Sequence, residues 1–220
     1  MKKHSLLMPS LAALLLVPVA PASASETPRV HTPSNAMQAK LATSQAMDTE
    51  LEVKKLKELG QDPEKLQFKD GQSLEVKFDD GSRIVYSLEI TPTSKENLPK
   101  NLTQSDADIQ ATYKTYTLRK QYFYVTANAN ISVKADIKHE GRSLTVRRAY
   151  HGFQGTFAKN DKQSSRIIRK NATSPKMGIT ETSGQFTLYA FGNIADYYTR
   201  SYVLRMDIDT AGFAQLRVMQ

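Results

Sequence analysis

The most regular hydrophobic pattern in the chain runs through residues 123–137. Its odd positions, Phe123, Val125, Ala127, Ala129, Ile131, Val133, Ala135 and Ile137, are all apolar. The even positions, Tyr124, Thr126, Asn128, Asn130, Ser132, Lys134 and Asp136, are polar or amphipathic. Side chains alternate faces along a strand, so this period predicts one long β-strand with a dry face and a wet face. A strand buried on one side belongs to an antiparallel sheet. At about 3.3 Å per residue it would span roughly 50 Å, well beyond the usual length of about five or six residues. A bend or twist is therefore expected near Asn128–Asn130.

Shorter alternations flank it. Leu74, Val76 and Phe78, the turn Asp79-Asp80-Gly81, and then Ile84, Tyr86, Leu88 and Ile90 predict a hairpin ended by Pro92. A strand over 112–119 carries Tyr116 and Leu118 on one face. The turn 138–141 leads to a return strand over 142–154, with Leu144 and Val146 inward. Beyond Val146 the apolar positions change parity, which predicts a β-bulge near Arg147-Arg148. Residues 158–165 read as a charged loop before a short strand at Ile167-Ile168. Near Phe186 and Leu188 both faces are apolar, as in a covered central strand. Tyr202, Leu204, Met206 and Ile208 form another strand, and Ala214, Leu216 and Val218 the last. Seven to nine strands without βαβ alternation predict an all-β fold, an antiparallel β-sandwich, with an open β-barrel as the alternative.

Other periods mark the N-terminal part. Leu51, Leu56 and Leu59 with Glu50 and Lys54 one turn apart predict a short amphipathic helix within 46–62, ended by Gly60. It could cap the sheet or lie in a tail. Residues 25–45, rich in Ser, Thr, Pro and Ala, read as a flexible spacer. Met1-Lys2-Lys3-His4, the apolar run to Val19 and Ala22-Ser23-Ala24 have the form of a secretory signal peptide cut after residue 24. The apolar run is too short for a spanning helix, so no transmembrane anchor is expected. The sandwich domain is expected over 72–220. The protein would then be secreted, extracellular and in some settings attached to the cell wall.

Composition narrows the chemistry. The 220 residues contain no cysteine, so disulfides and thiol chemistry are excluded. The formal net charge is +8, and it is unevenly spread. Residues 112–170 hold thirteen Lys and Arg against only Asp136, Glu140 and Asp161, whereas residues 46–80 hold ten acidic and six basic residues. No G-x-S-x-G is present. His139-Glu140 lacks the second half of a zinc helix motif, and Asp207-x-Asp209 lacks the remainder of a calcium loop. His151 on a strand reads as structural or solvated. No catalytic residue, metal ligand or cofactor is assigned.

What remains is the basic block interleaved with tyrosines. On the wet side of the long strand, Tyr122, Tyr124, Asn128, Asn130, Lys134 and Lys138 are expected to share one face, with Arg147 and Arg148 beside them. Rings that stack and ammonium groups that meet phosphates or carboxylates suit an anionic cell-wall polymer or a glycan. Nucleic acid is a poorer match outside the cell, and no protein partner can be named. The plain alternative is a solvated basic surface that keeps strand edges from pairing.

The run at 123–137, its return strand and the closing Ser-Tyr-Val-Leu-Arg-Met-Asp-Ile at 201–208 resemble small secreted proteins of Gram-positive bacteria that share a domain of unknown function. The resemblance covers roughly 72–220. It implies export and an antiparallel β fold and brings no catalytic residue with it. The reading is an exported, non-enzymatic binding protein. The alternatives are a secreted toxin-like or antagonistic protein acting on membranes or a protein partner, and a hydrolase with a site assembled from scattered residues.

Overall fold

Alternating strands dominate the chain in three dimensions as they do in sequence. A computed structural model describes residues 44–103, 105–124, 127–189 and 196–218. The expected signal peptide and nearly all of the expected spacer lie outside the described residues. The strands are β1 (Leu66–Phe68), β2 (Ser73–Lys77), β3 (Arg83–Pro92), β4 (Tyr113–Phe123), β5 (Asn128–Glu140) and β6 (Ser143–Thr156). They continue as β7 (Ala158–Arg169), β8 (Asn171–Thr173), β9 (Gly178–Tyr189), β10 (Asp196–Ile208) and β11 (Ala214–Val218). Two α-helices, α1 (Thr49–Glu58) and α2 (Asp106–Thr112), accompany them among the described residues.

Two antiparallel sheets form the all-β sandwich. One has the order β1-β11-β10-β9-β7 and the other β2-β3-β4-β5-β6-β8. One of the two curls as a half-barrel. The sheets join at a corner, where β6 passes into β7 through Phe157, a non-glycine residue with φ of 52°. Between the sheets lie Ile84, Leu88, Tyr116, Leu118, Ile131, Val133, Ile137, Leu144, Val146, Phe186, Leu188, Leu204, Met206 and Leu216, all buried. The hairpin around Asp79-Asp80-Gly81 and the inward phases of β10 and β11 agree with the sequence pattern.

The long strand of the sequence reading is two strands. Phe123 pairs with Asn128 and Tyr122 with Ala129, so the chain reverses between β4 and β5. Paired positions across this hairpin have opposite parity. The inward residues of β4 are therefore even (Tyr116, Leu118, Lys120, Tyr122) and those of β5 odd (Ala129, Ile131, Val133, Ala135, Ile137). Phe123 extends the odd apolar series by chance, because it lies on the opposite face, where the Arg83 guanidinium stacks over its ring at 4.5 Å. No Gly, Pro or Asn-Gly marks the reversal.

Two further expectations change. Residues 158–165, read as a loop, belong to β7, whose full register with β9 is interrupted by irregularities at Asn160/Lys162 and Ile167/Arg169. These shifts break the alternation that sequence reading depends on. The described residues also contain eleven strands rather than seven to nine, and the first of them, β1, precedes residue 72 and pairs with β11. The predicted bulge in β6 is present. Asp136 pairs with Arg148 and Ile137 with Val146, leaving Arg147 as the extra residue.

Helix α1 packs on the sandwich. Asp48 caps it, its Oδ1 accepting from the Glu50 and Leu51 backbone N–H at 2.9 and 3.1 Å. At the other end Gln61 N–H donates to the Leu56 carbonyl and Gly60 N–H to that of Lys57, with Gly60 at φ 71°. This is a Schellman closure, which favours glycine at that position. Leu56 is fully buried in the core, and so is Glu52, one turn earlier on the same helix face.

Candidate functional site

The outer face of the second sheet carries most of the predicted binding residues. Cross-strand pairs place Tyr113 beside Lys138, Thr115 beside Asp136 and Lys134 beside Tyr150. The bulge turns both Arg147 and Arg148 towards this face. Arg147 lies over the Tyr113 ring at 5.6 Å and Arg148 over the Tyr150 ring at 5.8 Å. Lys134 and Lys138 each sit 6.0 Å from the centres of the Tyr150 and Tyr113 rings. At this range each cation is attracted by the ring quadrupole.

Tyr122 and Tyr124 do not belong to this face. Tyr122 points inward on β4 and Tyr124 follows the strand's end; both are buried, stacked at 6.1 Å with an interplanar angle of 11°. The parity switch at the β4–β5 reversal is the cause. The rings that do share the face with Lys134, Lys138, Arg147 and Arg148 are Tyr113 and Tyr150. Asn128 and Asn130 lie further along the same face. The Asn128 side-chain oxygen accepts from the Thr156 N–H at 3.1 Å, while that of Asn130 is buried without a hydrogen-bond partner.

Much of the positive charge here is already paired. Asp136, buried under the face, accepts from Arg148 Nε at 2.8 Å, Thr115 Oγ1 at 2.8 Å and Tyr150 Oη at 3.1 Å. Burial, and then Asp136, push the Tyr150 phenol above its ordinary value, so it remains a donor. Glu140 binds Lys138, and Glu89 binds Arg119. Among the described residues Lys134 and Arg147 have no carboxylate partner.

A second ionic group lies inside. Lys120, on the inward phase of β4, places Nζ 2.6 Å from Glu52 Oε1, and the Tyr86 hydroxyl donates to the same oxygen. Arg200 of β10 comes within 3.9 Å of Glu52 Oε2. It donates to the Ala46 carbonyl at 3.1 Å and Thr49 Oγ1 at 2.7 Å, tying the start of α1 to the sandwich. Lys120 Nζ and the Arg200 guanidinium each lie 5.1 Å from the centre of the Tyr122 ring. Burial pulls the Lys120 ammonium down, but Glu52 outweighs it and the net shift is upward, so Lys120 stays charged.

This cluster was legible only in part. Lys120 falls in phase with Tyr116 and Leu118, and Glu52 lies one turn from Leu56. Each is a charge on an apolar face. Nothing in the sequence ties one to the other or to Arg200.

Classical catalytic geometry is sparse. His151 Nδ1 lies 3.1 Å from Ser165 Oγ, which in turn is 2.8 Å from Thr182 Oγ1. A nucleophile and base at this distance need a third group to orient the base. Among the described residues no carboxylate hydrogen-bonds to His151, and the pair is exposed on the sheet. No group of three or more His, Asp or Glu side chains among them is placed to hold a metal ion. No helix among the described residues is long and apolar enough to cross a membrane. The chain matches no protein-family model, no curated protein and no solved structure at a significant level.

Proposed function

We propose that the protein is an exported, non-enzymatic binding module that holds an anionic cell-surface polymer or glycan on the outer face of its second sheet. The face consists of Tyr113, Tyr150, Lys134, Lys138, Arg147 and Arg148, with Asn128 and Asn130 at its far end. One observation carries the reading. The bulge in β6 sets two consecutive arginines on one face, each over a tyrosine ring. A plain strand would send one of them to the core side. Pre-stacked guanidinium groups lose little freedom on meeting a phosphate or carboxylate. Export is supported by the basic start, apolar run and Ala22-Ser23-Ala24 of the sequence.

The test is co-sedimentation of the chain from Ser25 onward with purified Gram-positive cell walls across a salt series, with anionic vesicles in parallel. Retention at low salt, release by salt and loss in the Arg147→Ser/Arg148→Ser variant are expected. Failure to sediment at any salt overturns the reading. Retention on vesicles alone transfers the face to the membrane-acting alternative.

A further inference from the structure

The outer face repeats one arrangement twice along β5. At Lys138 it joins Tyr113, Lys138 and Arg147, with both cations over the Tyr113 ring. At Lys134 it places Tyr150 opposite, with Lys134 and Arg148 over the Tyr150 ring. Between them the row of Thr115, Asp136 and Arg148 is neutral, because Asp136 Oδ2 takes Arg148 Nε and Nη2 at 2.8 Å each. Among the described residues, the positive charge that no carboxylate meets therefore stands at two stations, Arg147 and Lys134. Lys134 and Lys138 lie four residues apart on one strand, so the stations are separated by about 13 Å.

The tyrosine rings hold these cations and are not open surfaces. Tyr113 is only 4% exposed, with Arg147 and Lys138 over its ring. Tyr150 carries two cations on its ring, and its hydroxyl donates to Asp136. Bases stack on open aromatic faces, and sugar rings do the same. Neither tyrosine offers such a face, so the surface reads charge. Phosphates at a matching interval complement it.

We propose that the face binds a base-free phosphodiester polymer with three-carbon spacers, extended along β5, with alternate phosphates at Arg147 and Lys134. This names the ligand class of the face proposed above and rests on that reading. Six bonds separate successive phosphorus atoms in such a chain. Three backbone bonds of a peptide reach about 3.5 Å, so six reach about 7 Å and two repeats about 14 Å. That matches the interval between the stations. The middle phosphate then lies over the half-exposed Arg148 guanidinium. An acidic glycan fits less well, because its rings find no open aromatic side chain.

The experiment titrates the protein with glycerol phosphate oligomers of two, three and four phosphates by isothermal titration calorimetry at low salt. Trigalacturonate and an oligothymidylate with three phosphates are the comparators. Affinity should rise at least tenfold from two phosphates to three, because only three reach both stations, and little more with a fourth. Lys134→Gln and Arg147→Gln should each bring the three-phosphate oligomer down to the level of the two-phosphate one, with melting curves like the parent's. Lys57→Gln, the same loss of charge at an exposed position of α1, should leave binding unchanged. Trigalacturonate should bind at least tenfold more weakly than the three-phosphate oligomer, and oligothymidylate no more tightly than it. The absence of a step at three phosphates, full binding in either Gln variant of the face, or equal binding of trigalacturonate overturns the proposal. Oligothymidylate that binds tenfold more tightly also overturns it and transfers the face to single-stranded nucleic acid. Protein that sediments with cell walls yet binds no phosphate oligomer overturns this proposal alone. Protein that sediments with neither walls nor vesicles overturns the binding reading as well.

Discussion

The two faces of the second sheet carry ionic groups built from the same residue types with opposite consequences. Outside, Asp136 is covered by its own partners, Arg148, Thr115 and Tyr150, and Arg148 remains 49% exposed. Inside, Glu52, Lys120 and Arg200 are nearly all removed from water, and the helix that brings Glu52 is itself part of the closure. The outer carboxylate accepts from one charged and two hydroxyl donors. The inner one has an oxygen without a hydrogen bond. Water can take the place of a lost partner outside but not inside, so the same substitution costs more in the interior.

The sharpest break of this comparison is Glu52→Leu. It leaves the Lys120 ammonium buried without the carboxylate it pairs with, and a loss of about 3–5 kcal/mol in urea unfolding is expected. The double variant Glu52→Leu/Lys120→Met should recover part of that loss, because the uncompensated ammonium is gone. If the single change costs no more than a surface substitution, the interior is wetter than its burial implies.

Arg148→Met tests the outer counterpart. Asp136 keeps its bonds from Thr115 and Tyr150, and water reaches the vacated side. A loss of about 1–2 kcal/mol is expected, below that of the inner change. An equal or larger loss would erase the contrast between the faces.

A pH-dependent contribution comes next. His139 Nε2 lies 3.0 Å from the buried Tyr116 hydroxyl. Burial, and then Lys114, hold its ring below the ordinary value near 6.5. The folded state therefore prefers the neutral ring. Its contribution is complete above pH 6.5 and is lost as the pH falls through the folded value. One group contributes a slope of at most about 1.4 kcal/mol per pH unit. The difference in stability between the parent and His139→Asn should change through that window and stay flat above it. A flat difference on the acid side would mean that the ring titrates normally.

The smallest effect is expected for Arg119→Ala. Its partner Glu89 is 49% exposed, and exposed pairs contribute up to about 1 kcal/mol. A shift in urea midpoint within that range completes the ordering from interior to surface.

Much of the fold follows from the sequence alone. Period-2 alternation at 74–78, 84–90, 202–208 and 214–218 assigns strands and their dry faces, because one buried face imposes that period. The slip beyond Val146 locates the bulge that turns Arg147 and Arg148 to one face. The cap at Asp48 is also a local signal, although the pattern alone did not single it out.

What only the tertiary structure decided is where the chain reverses and what meets across it. The β4–β5 turn has no turn residue, and the apolar odd positions run through it, so local pattern joins two strands into one and assigns Tyr122 and Tyr124 to the wrong face. Strand β7 is held by pairing with β9 despite a sequence of Lys, Asn, Asp and Ser, since a ladder partner outweighs weak intrinsic preference. The meeting of Glu52, Lys120 and Arg200 joins a helix to two strands from different sheets, with sequence separations of 68 between the first two and 154 between Arg200 and Ala46. Hydrophobic periodicity reports which way a side chain faces relative to its neighbours in sequence. It carries no information about which distant charge will be there to meet it.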